Sequence, residues 1–118
     1  LEDLNLKQEN LNAIIEGMKG VTSESGGTAY YIFYDLDMTI AGKTGSAETG
    51  EKNKVNGWFA GFAPYDNPEI AIVVLIENAG SGGNAAPVAK EIIQEYFGMN
   101  SEKVDEDVTA IPSTQTNN

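Results

Sequence analysis

The sequence predicts an α+β domain, a three-stranded antiparallel sheet with helices packed on it. Three observations carry that expectation. Leu11, Ile14, Ile15 and Met18, spaced i, i+3, i+4 and i+7, form one apolar stripe of a helix. Residues 57–63 alternate large and small side chains, and residues 70–77 (IAIVVLIE) are a β-branched apolar run. Residues 85–97 then return to helical spacing.

Taken in order, residues 1–6 carry no clear pattern, and the first helix lies within residues 6–20, with Gly20 as its expected stop. Residues 21–27 (VTSESGG) read as a polar loop. Residues 28–38 (TAYYIFYDLDM) leave both a short helix and a strand open, and Thr28 is a candidate cap for a helical turn. Residues 38–49 (MTIAGKTGSAET) read as a strand broken by two glycines, and residues 49–56 as the connection into a hairpin. In the next strand Trp58, Ala60 and Phe62 face one way and Phe59, Gly61 and Ala63 the other. Two prolines in residues 64–69 mark a turn. The near-continuous apolar character of residues 70–77 predicts a strand buried on both faces. Strands joined by such short turns are antiparallel neighbours.

Residues 78–86 (NAGSGGNAA) read as a flexible loop in which Asn84 caps the following helix and Pro87 occupies its first turn. Ala85, Val88, Ala89, Ile92, Ile93, Tyr96 and Phe97 give that helix a wide apolar face, and Gly98 ends it. The domain is therefore expected over residues 1–98. Residues 99–118, acidic and then rich in Thr, Ser and Asn, are expected to form a flexible tail.

Composition removes several functions. The chain of 118 residues carries 18 acids against 7 lysines and no arginine, a net charge of −11. Nucleic acid is excluded as a partner, because phosphate binding needs clustered basic residues, and an anionic membrane surface is disfavoured on the same ground. The longest apolar run, residues 70–76, is too short to cross a bilayer, and no signal-peptide pattern opens the chain. Without cysteine there is no disulfide or thiol chemistry. Without histidine there is no Ser-His-Asp triad and no histidine-based zinc site, so acyl transfer here would use lysine to carry protons.

Most motif candidates reduce to plain structure. A phosphate loop needs a glycine five residues before Gly42, and position 37 is Asp. The stretch GSGGN lacks a dinucleotide fingerprint and reads as a strand-to-helix loop. Asp35, Asp37 and the tail acids lack the spacing of a calcium loop and read as a solvated acidic surface. The aromatics at 30, 31, 33, 34, 58, 59 and 62 read as core in preference to a ligand shelf.

Lys43, Thr44 and Gly45 remain, followed by Ser46, on a predicted strand before a hairpin. With GGTAYYIF, IAGKTGSAE, NGWFAGFAP, IAIVVLIENAG and GGNAAPVAKEIIQEYF in that order, residues 8–98 resemble the last part of the transpeptidase domain of penicillin-binding proteins. The likeness is greatest to the high-molecular-weight class B kind. It implies the penicillin-binding protein and serine β-lactamase-like fold. It also implies a site built from Ser-x-x-Lys, Ser-x-Asn and Lys-Thr-Gly. Only the third motif is present. None of Ser23, Ser25, Ser46, Ser81, Ser101 and Ser113 is followed three residues later by Lys or two residues later by Asn. The expectation is a C-terminal fragment of a larger enzyme, inactive alone.

The resemblance implies catalytic and substrate-binding roles for four residues. Lys43 supplies positive charge that helps hold the terminal carboxylate of a stem peptide or β-lactam. Thr44 hydrogen-bonds in the same network. Gly45 leaves room for the substrate to approach. Ser46 offers its hydroxyl to the carboxylate and its N–H to the oxyanion, with Ser standing where the family usually has Thr. The implied reaction is D,D-transpeptidation through a serine acyl-enzyme on the extracytoplasmic face of the bacterial envelope, with no metal or cofactor. The partners implied are the D-Ala-D-Ala stem peptide, β-lactams and the remainder of the domain. Strand 70–77 is expected to leave an open edge through which the fragment self-associates. A β-lactam sensor, a hydrolase of the same fold or a non-catalytic interaction module are the alternatives.

Overall fold

The computed structural model describes residues 4–99. The tail expected over residues 99–118 lies, apart from Met99, outside the described residues. The elements are helix α1 (Gln8–Ser23), the short helix α2 (Tyr30–Phe33), strands β1 (Ala41–Glu48), β2 (Val55–Ala63) and β3 (Ile70–Ile76), a 3-10 turn (Gly82–Ala85) and helix α3 (Ala86–Tyr96). The sheet is antiparallel with order β1-β2-β3, as expected.

The helices pack on one face of the sheet. Phe33 from α2, Ile40, Phe59 from β2, Ile72 and Val74 from β3, and Ala89 and Ile93 from α3 are buried together. The Phe33 and Phe59 rings stand 5.4 Å apart between centroids. Thr22, buried near the end of α1, donates its hydroxyl to the Ile40 carbonyl and ties the helix to the start of β1. The alternation expected in β2 holds at its centre, where Phe59 and Gly61 are buried and Trp58 and Ala60 exposed.

Several expectations are corrected. Helix α1 runs through Gly20 to Ser23, because Glu24 N–H still finds the Gly20 carbonyl and the Ser23 hydroxyl bonds back to Lys19; a glycine permits a helix end without requiring one. Ile14 of the predicted stripe is exposed, whereas Leu11, Ile15 and Met18 are half-buried. Residues 30–33 are helical, capped by Ala29 and not by the Thr28 side chain. Strand β1 is continuous through both glycines.

Strand β3 is buried on one face only. Ile72 and Val74 face the core, while Val73 is 67% and Leu75 45% exposed. On α3, Ala89 and Ile93 are buried, but Val88, Ile92 and Tyr96 are exposed, so only part of the apolar face is covered. Asn84 does not cap α3. Its amide donates to the Ala79 carbonyl at 2.6 Å, and the cap of the 3-10 turn is Ser81, whose hydroxyl accepts from Gly83 N–H. Of the aromatics expected in the core, Tyr31, Tyr34 and Trp58 are exposed.

Candidate active site

Lys43, Thr44, Gly45 and Ser46 lie in the middle of β1, an outer strand of the sheet. Side chains alternate along a strand. Gly42 lies over the Phe59 ring, on the helix-covered face. Thr44 and Ser46 therefore share that face. Lys43 and Gly45 lie on the other, where their partners on β2 are Ala60 and Trp58.

The backbone phase follows from the hairpin. Thr49 N–H donates to the Lys54 carbonyl at 3.2 Å, and this pair continues the register Glu48↔Val55. In an antiparallel ladder, alternate residues exchange bonds with the partner strand and those between point theirs away. Counting in twos from Thr49, Ala47, Gly45 and Lys43 bond to β2. The N–H and C=O groups of Thr44 and Ser46 consequently face the unpaired edge. Lys43 Nζ, which donates to the Thr44 carbonyl at 2.6 Å, agrees with that placement.

Both hydroxyls on the helix-covered face have partners that the sequence did not reveal. Thr44 Oγ1 is 2.8 Å from Thr28 Oγ1. Ser46 Oγ accepts from Gly82 N–H at 2.8 Å. These contacts join residues 16 and 36 positions apart, so no local pattern carries them. Their only trace in the sequence is that Thr28 and Gly82 fall in or beside glycine-rich stretches that also carry the family resemblance.

Glycine 45 is not demanded by packing. A Cβ there would meet only Trp58 Cβ, at an ordinary contact distance of 3.5 Å. By contrast, a Cβ on Gly82 would lie 2.3 Å from the Gly45 carbonyl oxygen.

An open groove of about 420 Å³ adjoins the site between α1 and β1, lined by Glu16, Val21, Glu24, Thr28 and Lys43 among others. At α1, the Tyr65 hydroxyl donates to Glu16 and the Lys19 ammonium sits 4.6 Å from the Tyr65 ring centroid. The bond to Glu16, then desolvation and the nearby Glu16 and Asp66 charges, raise the Tyr65 phenol above its ordinary value. The acidic pair near α2 does not join the site: Asp35 accepts from Lys90 Nζ at 2.6 Å and links α2 to α3. Among the described residues, no cluster of three or more acidic side chains is arranged to hold a metal ion.

Comparison with known proteins agrees with this architecture. The family model for the penicillin binding protein transpeptidase domain matches residues 1–94. The Haemophilus influenzae peptidoglycan D,D-transpeptidase MrdA is 35% identical over 104 residues, covering 75% of this chain and 16% of that protein. Penicillin-binding protein 3 of Bacillus subtilis is 32% identical over 94 residues, covering 75% and 14%. The chain thus spans about a sixth of the length of the curated relatives it matches. Among solved structures, Pseudomonas aeruginosa PBP2 in complex with WCK 5153 superposes with a TM-score of 0.72 at 36% identity, covering 80% of this chain and 21% of that one. Helicobacter pylori PBP2, solved in complex with MreC, gives 0.71 at 26% identity, covering 81% and 19%. With the matching sheet and helix order, these similarities make the chain a member of the penicillin-binding protein transpeptidase-domain family.

Proposed function

We propose that this chain supplies the Lys-Thr-Gly wall of a serine acyl-enzyme site in a class B peptidoglycan D,D-transpeptidase. The observation that carries the reading is the edge of β1, where Thr44 and Ser46 turn their backbone groups away from β2. An extended stem peptide ending in D-Ala-D-Ala would add along that edge as a further strand. Lys43, Thr44 and the Ser46 hydroxyl would hold its terminal carboxylate, and Ser46 N–H would donate to the oxyanion. Gly45 keeps the strand low where the ligand passes, which suits a position that packing leaves free.

The nucleophile belongs to a Ser-x-x-Lys motif that this sequence does not contain. That serine attacks the D-Ala-D-Ala carbonyl, the peptide bond breaks, and D-alanine leaves with a proton on its amine. An amine of a second stem peptide then attacks the acyl-enzyme and restores the serine. β-Lactams stop the sequence at the acyl-enzyme. The reaction belongs to the outer face of the bacterial cell envelope and needs no metal or cofactor.

Fluorescent penicillin provides the test. The complete protein is expected to take one covalent label per molecule, and the isolated 118-residue chain none. A label on the isolated chain, or none on the complete protein, overturns the proposal.

A further inference from the structure

We infer that Gly82 is a positioning residue for the acyl-transfer site, acting through the Ser46 hydroxyl from behind the strand. The inference rests on the reading of Ser46 given above. It starts from a difference between the two faces of one hydroxyl. A hydroxyl oxygen can accept and donate, and its hydrogen rotates to suit its neighbours. A backbone N–H can only donate. Because Gly82 N–H points at Ser46 Oγ from 2.8 Å, the oxygen is committed as acceptor on that side. The Ser46 hydrogen must then point elsewhere, as a donor. A carboxylate is acceptor-only, so this is the polarity that suits it. The bond also polarises the hydroxyl and strengthens its own donation.

The loop is built to make this contact. Gly82 is buried against the strand, and a Cβ on it would lie 2.3 Å from the Gly45 oxygen and 2.6 Å from the Gly45 carbon. Only glycine lets the loop approach this closely. Among the bonds that hold the loop in place, Ser81 Oγ accepts from Gly83 N–H at 3.1 Å, Asn84 Nδ2 donates to the Ala79 carbonyl at 2.6 Å, and Gly80 N–H donates to the Val55 carbonyl at 3.1 Å. The Gly-rich loop after β3 therefore sets the rotor of a residue on β1.

Two measurements test this. In the 118-residue chain, Gly82 amide exchange is expected to be slow and to speed up about tenfold in Ser46→Ala, the size of effect one lost hydrogen bond gives. Equal exchange in the two overturns the contact. In the complete protein, the rate of fluorescent penicillin labelling is measured for Ser81→Ala, which loosens the turn without a clash, and for Gly82→Ala. Each is expected to slow labelling, by up to about tenfold for Gly82→Ala. Ser81→Ala is expected to lose that effect in a Ser46→Ala background and to keep it in Ser46→Thr, which retains the hydroxyl; Gly82→Ala, whose Cβ also meets the Gly45 oxygen, is expected to keep in Ser46→Ala only the part of its loss that this overlap causes. Should Gly82→Ala fail to fold, Ser81→Ala alone decides. Equal losses with and without the Ser46 hydroxyl overturn the inference, because a purely structural role is blind to that hydroxyl. An unlabelled wild type overturns the site reading as well; a labelled wild type with additive losses overturns this inference alone.

Discussion

Gly42 leaves the space that the Phe59 ring fills: a Cβ at position 42 would lie 2.3 Å from Phe59 Cζ. Phe59 has no exposed surface, so its ring has nowhere to retreat. The glycine before Lys43 thus serves the core and not the site. Gly42→Ala is expected to destabilise the domain by about 1–3 kcal/mol, the usual cost of overpacking. A denaturant midpoint shift toward lower concentration at unchanged slope would show it.

Gly45→Ala should behave in the opposite way. Its Cβ meets only an ordinary contact, so stability should stay within about 1 kcal/mol of wild type. In the complete protein the same variant is expected to slow fluorescent penicillin labelling by more than about tenfold, the scale of one misplaced contact at a reacting centre. Unimpaired labelling would show that the extra methyl does not meet the ligand.

Thr28 offers a second probe of the wall. Its hydroxyl is exposed and bonds Thr44, so Thr28→Val should cost at most about 0.5–1.5 kcal/mol of stability. In the complete protein it should slow labelling, and Thr28→Ser should restore most of the rate. Equal rates for Val and Ser at this position would show that the Thr44 rotor does not depend on it.

Tyr65 gives a pH signature. Its phenol is held above the ordinary value of 10.0, first by the bond to Glu16. A proton held more firmly in the folded chain adds stability below the unfolded pKa, and this is lost as pH rises through the folded one. Phenolate absorbance should reveal a late-titrating component, absent in Tyr65→Phe and shifted back toward 10.0 in Glu16→Gln. A titration curve unchanged in Glu16→Gln would remove the assigned cause.

The outer edge of β3 is unpaired among the described residues, and Val73 and Leu75 are exposed beside it. The isolated chain is expected to associate as concentration rises in light scattering, and Val73→Lys to reduce it, since charge on an edge strand opposes pairing. A chain that stays monomeric at every concentration would count against an adhesive edge.

How far the sequence could be read follows from the range of each interaction. The alternation around Phe59 is local and was legible, as were the strand order and the helix over residues 86–96. Strand β3 misled because its run of apolar residues lacks the alternation that distinguishes one covered face from two. Helix α3 misled similarly: Ile92 and Tyr96 fit an apolar stripe, but the covered arc stops at Ala89 and Ile93. Lys43 to Ser46 can be proposed from the sequence because they are contiguous. Thr28 and Gly82 cannot, because their bonds to Thr44 and Ser46 form only when distant segments meet β1.

Thr44 and Ser46 repeat their outward backbone groups about every 7 Å, the two-residue repeat of an extended chain. A helical ligand, rising about 1.5 Å per residue, cannot keep step with that repeat. Under the proposed function the edge would work as a ruler, selecting a ligand first by the stretch of its backbone and only afterwards by its side chains.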